Sequence, residues 1–271
     1  MNAPEEIKQV FLPDVQAQKD TRSLAIQKAG VRGIKYPIFI ETGNKSYPSV
    51  ALFDMTVGLD ACAKGTHMSR FIEVLEDNCS EISYEKVLYL SDAMLARLEA
   101  ETGYIKVTFP FFMEKLAPVS KVRGVMDYEV TYEVVCKKNS QSIVHLEVVV
   151  PVTSLCPCSK NISDYGAHNQ RSHITVRASL KSSALKVENI IKIAETSASC
   201  ELWSILKRPD EKFVTEKAFN NPKFVEDLVR DVSIKLQELI AQNLIGGFSV
   251  ESENFESIHN HSAFARIDQN I

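Results

Sequence analysis

Gly124-Val-Met-Asp-Tyr-Glu-Val-Thr-Tyr-Glu-Val-Val-Cys-Lys137 predicts a half-buried β-strand, because apolar and polar residues alternate along it. The apolar positions are Val125, Tyr128, Val130, Tyr132 and Val134. A polar turn over residues 137–142 separates this strand from a second β-rich run over residues 143–152. Two such runs joined by a short turn indicate an antiparallel hairpin.

The same kinds of pattern continue on either side of this hairpin. Further strands are predicted at residues 31–41, 50–59, 105–113, 173–181 and 248–253, with turn residues between the first two at 42–48. Apolar residues at helical spacing predict helices at 84–100, 187–198 and 223–243, the last of them ended by Gly246-Gly247 as a C-cap pair. Residues 1–30 are polar and charged, and we expect a lead-in with a short helix there.

Both halves of the chain run from a hairpin into helices. This order indicates an α+β protein with antiparallel sheets, built from two similar modules that join around residues 105–125. We therefore predict a first module over residues 31–115 and a second module over residues 116–271. The second module contains most of the candidate functional residues.

Composition limits the classes of protein to consider. The chain has 271 residues, of which 45% are hydrophobic and 24% charged, as in globular proteins. Its net charge of −4 and the scatter of its Lys and Arg residues argue against nucleic-acid binding. No apolar run approaches the ~18 residues of a membrane span. The first residues lack a secretory signal and six cysteines are too few for a disulfide scaffold, so we expect a cytoplasmic location.

The stretch from Ser154 to His173 is rich in possible metal ligands. Cys156, Cys158, His168 and His173 can all bind a soft or borderline divalent metal. The stretch follows a predicted strand, where a rigid scaffold often presents functional residues. Two inert cysteines beside a strand are the alternative for the Cys-Pro-Cys sequence alone, but the nearby histidines favour a catalytic metal site. Which of the two cysteines binds the metal stays open.

Other polar groups could complete such a site. His259 and His261 are spaced to point the same way on an extended segment, although such pairs are more often surface residues. Glu211 lies in a charged turn and could bind a metal or transfer protons, and Glu226 could bind two N–H groups of a purine. A polyanion such as a triphosphate would suit three further residues, which could equally be ordinary surface groups: Lys64, His67 and Arg70.

Six motifs in series resemble those of the type IB GTP cyclohydrolases. They are Gly65-Thr-His-Met-Ser-Arg-Phe71, Ser154-Leu-Cys-Pro-Cys-Ser-Lys160, Gly166-Ala-His-Asn-Gln-Arg-Ser-His173, Leu206-Lys-Arg-Pro-Asp-Glu-Lys212, Asn221-Pro-Lys-Phe-Val-Glu-Asp227 and Glu256-Ser-Ile-His-Asn-His261. The resemblance covers nearly the whole chain after about residue 30. It implies a tunnelling fold (T-fold) with two ββαα-type modules per chain, assembled as a homotetramer with sites near module or subunit interfaces.

The resemblance also implies a reaction and a set of site residues. GTP is hydrolysed at C8, formate leaves, and the product recyclises to 7,8-dihydroneopterin triphosphate. A divalent metal (manganese, zinc or iron), with no organic cofactor, is then expected on Cys156, His168, Glu211 and one of His259 or His261. The other histidine of the pair would contact a ligand without binding the metal itself, or would carry protons. Glu226 corresponds to the residue that binds the purine.

Two alternatives use the same residues differently. T-fold nitrile reductases use NADPH and a cysteine nucleophile without a metal, a role that Cys156 or Cys158 could fill. A non-catalytic oligomer with a structural zinc would hold its metal tightly and unfold on chelation.

Overall fold

A computed structural model describes residues 13–16, 18–42 and 45–271 of the chain. In these residues one antiparallel sheet carries all the named strands, in the order β1-β2-β3-β4-β5-β6-β8-β9, with the two-residue β7 paired to β5. The strands are β1 (Ile26–Thr42), β2 (Lys45–Leu59), β3 (Thr102–Leu116), β4 (Arg123–Lys137), β5 (Ile143–Leu155), β6 (Asn169–Leu180), β7 (Cys200–Glu201), β8 (Ile245–Asn254) and β9 (Ala263–Gln269). The helices are α1 (Met68–Asn78), α2 (Tyr84–Leu98), α3 (Pro157–Ile162), α4 (Val187–Glu195), α5 (Arg208–Asn220) and α6 (Val225–Ala241).

The predicted central hairpin is confirmed as β4 and β5. Val130 pairs with Val148 and Tyr132 with Leu146, in antiparallel register. These four side chains are buried on the helix-covered face of the sheet. On the other face, Arg177 of β6 bonds to Glu133 at 2.5 Å. The alternation that predicts the strands therefore separates an apolar core from a charged outer face.

The helices cover one face of the sheet in two groups. Helix α2 packs on β3 and β4, α4 on β5 and β6, and α6 on β8 and β9. The order of elements is β-β-α-α-β-β over residues 26–137, and the same order returns over residues 143–269 with α3, β7 and α5 as additional elements. The predicted module boundary after residue 115 falls within β3, and it stays a prediction because one sheet runs through both halves.

Several local predictions are wrong. Helix α1 was not predicted; it begins within the motif of residues 65–71 and buries Phe71, Val74 and Leu75. The turn predicted around Glu211 is the first turn of α5, and β9 was not predicted at all. Gly246 and Gly247 do not end α6, which stops at Ala241; they lie in β8.

The expected lead-in helix is absent from residues 13–16 and 18–25, and the rest of the lead-in before residue 26 lies outside the described residues. Gly247 has a different role from the predicted C-cap. A Cβ atom at this position would lie 2.1 Å from the carbonyl oxygen of Asn270, so only glycine allows the chain end to approach β8. Within the described ranges, no helix is both long enough and apolar enough to cross a bilayer.

Candidate metal centre

Cys156 lies where β5 gives way to α3. It is the N-cap residue of this short helix, and its Sγ accepts a hydrogen bond from the N–H of Ser159 at 3.4 Å. Pro157 at the first helical position has no N–H to satisfy, which suits a helix start. The Cys156 thiol is half-buried, whereas Cys158 is exposed. The two cysteines therefore have different environments although they are separated by one residue.

A small hydrogen-bond ring holds His168 beside Cys156. The N–H of Cys156 donates to the carbonyl oxygen of His168 at 3.2 Å. The Oγ of Ser159 accepts from the N–H of His168 and donates to the carbonyl oxygen of Cys156, both at 3.2 Å. The loop between these residues turns at Gly166, whose φ of 141° is strained for any other residue. The structure thus brings two predicted metal ligands together.

The imidazole of His168 is oriented through its Nδ1 atom. Gln170 Oε1 lies 3.1 Å from Nδ1, and Ser257 Oγ lies 3.3 Å from it. The Nε2 atom has no hydrogen-bond partner in the described part of the chain, so it is available to a metal. Histidine ligands are commonly oriented by such a bond to the other ring nitrogen.

Gln170 and Ser257 were missed by sequence reasoning. Gln170 is almost fully buried, and its Nε2 donates to Glu256 Oε1 at 3.3 Å. Glu256 and Ser257 begin the loop between β8 and β9, far along the chain from His168. Only the position of Gln170, two residues after a candidate ligand at the start of a strand, could have suggested this role.

His259 and His261 lie further along the same loop, and both are exposed. Their rings are stacked, with centroids 5.2 Å apart and planes at 17°. The segment bends at residues 257–261 and does not run extended as predicted. The start of the loop is held to β6, because the N–H of Phe255 donates to the carbonyl oxygen of Arg171 at 3.0 Å. The pair therefore follows directly on a segment that contacts His168.

His173 is used differently from the other histidines of its stretch. Its ring packs edge-on against Phe255, with centroids 4.9 Å apart. Burial lowers the pKa of His173, and nearby Arg171 adds to this effect. A neutral ring in an aromatic contact indicates a packing role for His173 rather than metal binding.

Glu211 lies apart from Cys156 in a single chain. It is exposed in the first turn of α5, and its carboxylate has no partner among the described residues. Later residues of α5 approach the loop: Val214 and Ala218 belong to one apolar cluster with Leu155 and Ala167, and Lys160 Nζ donates to the carbonyl oxygen of Phe219 at 2.5 Å. Eight residues of helix separate Glu211 from Phe219, or about 12 Å.

Asp210, the neighbour of Glu211, has a structural role. Its side chain is fully buried and accepts hydrogen bonds from the N–H groups of Val119, Ser120 and Lys207 at 2.8 Å and from Ser120 Oγ at 2.5 Å. Burial alone would raise the pKa of Asp210, but these bonds outweigh it and hold the pKa below its ordinary value. The start of α5 is thereby fixed to the turn between β3 and β4.

Asp210→Asn is expected to destabilise the metal-free protein, with the unfolding midpoint falling by on the order of 5 °C. An amide has one acceptor oxygen and places an NH₂ group against buried N–H donors. Since the pKa of Asp210 is lowered on folding, its contribution is present above the ordinary Asp pKa and is lost as the pH falls below it. Thermal unfolding across this pH range measures the effect. Glu211→Gln is the matched control, and an equal loss in both variants would contradict the assignment.

Glu226 lies close to Cys156. The N–H of Lys223, just before α6, donates to the carbonyl oxygen of Leu155 at 3.0 Å, so the start of α6 is held beside the end of β5. Glu226 is exposed in the first turn of α6. The neighbouring Asp227 caps this helix by accepting from the N–H of Phe224 at 3.1 Å. The Glu226 carboxylate has no partner among the described residues, and its role in purine binding stays a prediction.

The three predicted triphosphate-binding residues lie at the other end of the sheet. They follow β2, which ends opposite the end of β5 because the strands alternate in direction. The 13 residues of β5 span roughly 40 Å. Within the chain, Lys64 Nζ bonds to Gln18 at 2.8 Å, His67 Nε2 lies 3.1 Å from an Asp14 oxygen, and Arg70 lies 3.8 Å from Glu99. One chain does not bring Lys64, His67 and Arg70 to Cys156.

The donor chemistry fits a divalent metal, although one chain does not gather all the donors. Cys156 offers a thiolate and His168 an oriented imidazole, the ligand types that zinc and iron accept. Over the described ranges, no three His, Cys, Asp or Glu residues lie close enough together to hold a metal ion. The candidate centre is therefore the Cys156–His168 pair, with His259 and His261 on the adjoining loop, and its metal binding stays a prediction.

Gln170→Ala is expected to weaken metal binding by about 10- to 100-fold. Without the Gln170 oxygen, the His168 ring loses one of the two contacts that set its orientation. A competitive chelator titration measures the metal affinity. Asn169→Ala, an exposed neighbour, is the control. Unchanged metal affinity in Gln170→Ala would show that Gln170 does not position His168.

Comparisons with known proteins identify the family of this chain. The family described as "Type I GTP cyclohydrolase folE2" matches residues 12–265. A GTP cyclohydrolase FolE2 of Cupriavidus pinatubonensis is 54% identical over 260 residues, covering 95% of this chain and 94% of the relative. A GTP cyclohydrolase FolE2 of Dechloromonas aromatica is 53% identical over 268 residues, covering 98% of each chain.

Solved structures support the fold. Uricase from Arthrobacter globiformis has a TM-score of 0.51 and 8% identity, covering 94% of this chain and 96% of that chain. A urate oxidase mutant of Bacillus sp. TB-90 has a TM-score of 0.52 and 8% identity, covering 91% of this chain and 100% of that chain. At this identity the likeness concerns the fold alone. It confirms the predicted α+β antiparallel T-fold with two modules.

Proposed function

The chain belongs to the type I GTP cyclohydrolase FolE2 family, and we propose that it acts on GTP at a divalent-metal centre containing Cys156 and His168. The enzyme converts GTP to 7,8-dihydroneopterin triphosphate in folate biosynthesis. Family membership decides against the nitrile reductase and the non-catalytic zinc protein. The observation that carries the metal proposal is the pairing of a half-buried thiol with an imidazole whose Nε2 is unpartnered in the described residues.

The proposed roles follow from the positions of the side chains. Cys156 and His168 hold the metal, and one of His259 or His261 joins them while the other moves protons during ring opening. A divalent ion, when bound, activates water for attack at C8 near neutral pH. Glu226 accepts the guanine N1–H and the exocyclic amine. Manganese, zinc or iron suits this role.

The assembly is proposed to complete the site. Large apolar side chains around the centre are exposed in one chain, with Ile162 at 79%, Tyr165 at 101% and Ile258 at 63%. Exposed apolar clusters of this kind are typical of protein interfaces. We expect a homotetramer in which a neighbouring chain covers them. In that arrangement Glu211 and the triphosphate-binding Lys64, His67 and Arg70 reach the centre from another copy.

GTP turnover after chelation tests this proposal. The reduced protein is stripped of metal, manganese, zinc or iron is added back separately, and the fluorescence of the oxidised pterin is recorded. We expect turnover to vanish on chelation and to return with at least one of these ions. Full activity in protein shown by elemental analysis to be metal-free would contradict the metal centre and leave the family assignment intact.

A further inference from the structure

A cleft lies on the helix-covered face of the sheet, between α2 and α4. Its volume is about 500 Å³, within the usual range for small-molecule sites. Phe109 and Tyr132 form part of its floor, with ring centroids 6.4 Å apart and planes at 17°. The first turns of α2 and α4 form its walls. None of its lining residues belongs to the metal centre or to the predicted GTP-binding set.

Tyr132 gives the first sign of a ligand. Its side chain is only 6% exposed and lines the cleft. Throughout the described ranges, its hydroxyl has no hydrogen-bond partner. Burial raises the pKa of Tyr132, and the nearby carboxylates of Glu188 and Glu85 raise it further, so the hydroxyl keeps its proton. Because the rest of the side chain is enclosed, the hydroxyl offers a polar contact to a ligand inside the cleft.

The charges of the residues that line the cleft are the second indication of a ligand. Glu41, Glu81, Glu85 and Glu188 line the cleft, against one lysine, Lys186. Of these, Glu81 has a cationic partner in Lys86 at 3.1 Å. Glu188 accepts a hydrogen bond from the hydroxyl of Thr42 at 3.2 Å and Glu85 from that of Ser83 at 3.3 Å, and neither carboxylate pairs with a cation in the described part of the chain. Hydrogen bonding from Ser183 lowers the pKa of Glu85, which therefore stays ionised. The cleft has an excess of negative charge beside an apolar floor.

We propose that this cleft binds an organic cation: a flat ring bearing an amine, amidine or guanidine group. The ring packs on Phe109 and Tyr132, where an aromatic floor favours a cationic ring system. The charged N–H groups reach Glu188 and Glu85. Since Thr42 of β1 is bonded to Glu188 of α4, such a ligand contacts both halves of the chain. This site is separate from GTP hydrolysis and does not depend on the metal centre.

A matched set of probes tests the class of ligand. Benzamidine, benzamide and benzoate share one shape and differ in charge, and tryptamine provides a larger cation. Calorimetry with the full chain is expected to show saturable binding of at least one cation. Benzamide should bind about tenfold more weakly or worse, and benzoate should not bind detectably. Equal binding of benzamide and benzamidine, or binding of neither cation, would overturn the proposal.

Two variants locate the binding. Tyr132→Phe removes only the hydroxyl, and Glu188→Gln removes only the charge; each is expected to weaken binding of the cation by about five- to tenfold. Glu238→Gln, an exposed residue of α6, is the control for charge and should not change binding. All three variants should keep GTP turnover. Unchanged affinity in both Tyr132→Phe and Glu188→Gln would show that the cation binds elsewhere and would overturn the assignment.

Discussion

Cys156→Ala is expected to abolish both metal binding and GTP turnover, with kcat falling by about a thousandfold or more. The variant removes the thiolate that β5 and α3 place beside His168. The main-chain bonds of the loop remain, so the fold should be retained. Elemental analysis of the reduced, purified variant and pterin fluorescence measure the two effects.

Cys158→Ala is the matched control for this prediction. Cys158 is exposed on α3 and is separated from Cys156 by Pro157 alone. We expect this variant to keep both its metal and its turnover. If Cys156→Ala retained turnover together with its metal, or if Cys158→Ala lost both, the assignment of the thiolate ligand would be wrong.

Glu226→Ala is expected to raise the Kd for GTP by about 100-fold or more while leaving the metal content unchanged. The carboxylate accepts two hydrogen bonds from guanine in the proposed complex, and bonds to a charged acceptor are among the stronger ones. Equilibrium binding to GTP measures the loss. Glu238→Ala on the same helix is the control, because it lies about three turns from the centre and is also exposed.

Inosine triphosphate sharpens this test because it lacks the exocyclic amine. The wild-type protein should bind GTP more tightly than inosine triphosphate, since only GTP offers both N–H groups to Glu226. In Glu226→Ala this preference should largely disappear. Normal GTP binding by the variant, or an unchanged preference for GTP, would show that Glu226 does not hold the purine.

The strands were predictable because each of them alternates over a long run. In β4 and β5 nearly every second side chain is buried, so the pattern in the sequence matches one face of the sheet. Helix α5 gave no such signal, since its buried residues are Asp210 and Ala218. A helix held by a buried carboxylate rather than an apolar stripe cannot be recognised from hydrophobic periodicity. The edge strand β9 is short and fully buries none of its residues.

The Cys156–His168 pair was predictable because both residues lie in one loop. The partners of His168 were not, since Ser257 is 89 residues away and approaches only through the pairing of β6 with β8. The separation of Lys64 from Cys156 has the same origin. The two residues lie far apart because β2 and β5 end at opposite edges of the sheet. Strand order determines this arrangement, and the motifs alone do not reveal it.

X-ray absorption of the reduced, zinc-loaded protein tests the central claim most directly, because it counts the sulfur atoms bound to the metal. A centre built on Cys156 and His168 predicts one sulfur at about 2.3 Å, with the remaining ligands nitrogen or oxygen at about 2.0–2.2 Å. Cys158→Ala should give the same spectrum. A spectrum without sulfur, or with two sulfur ligands, would contradict the single-thiolate centre.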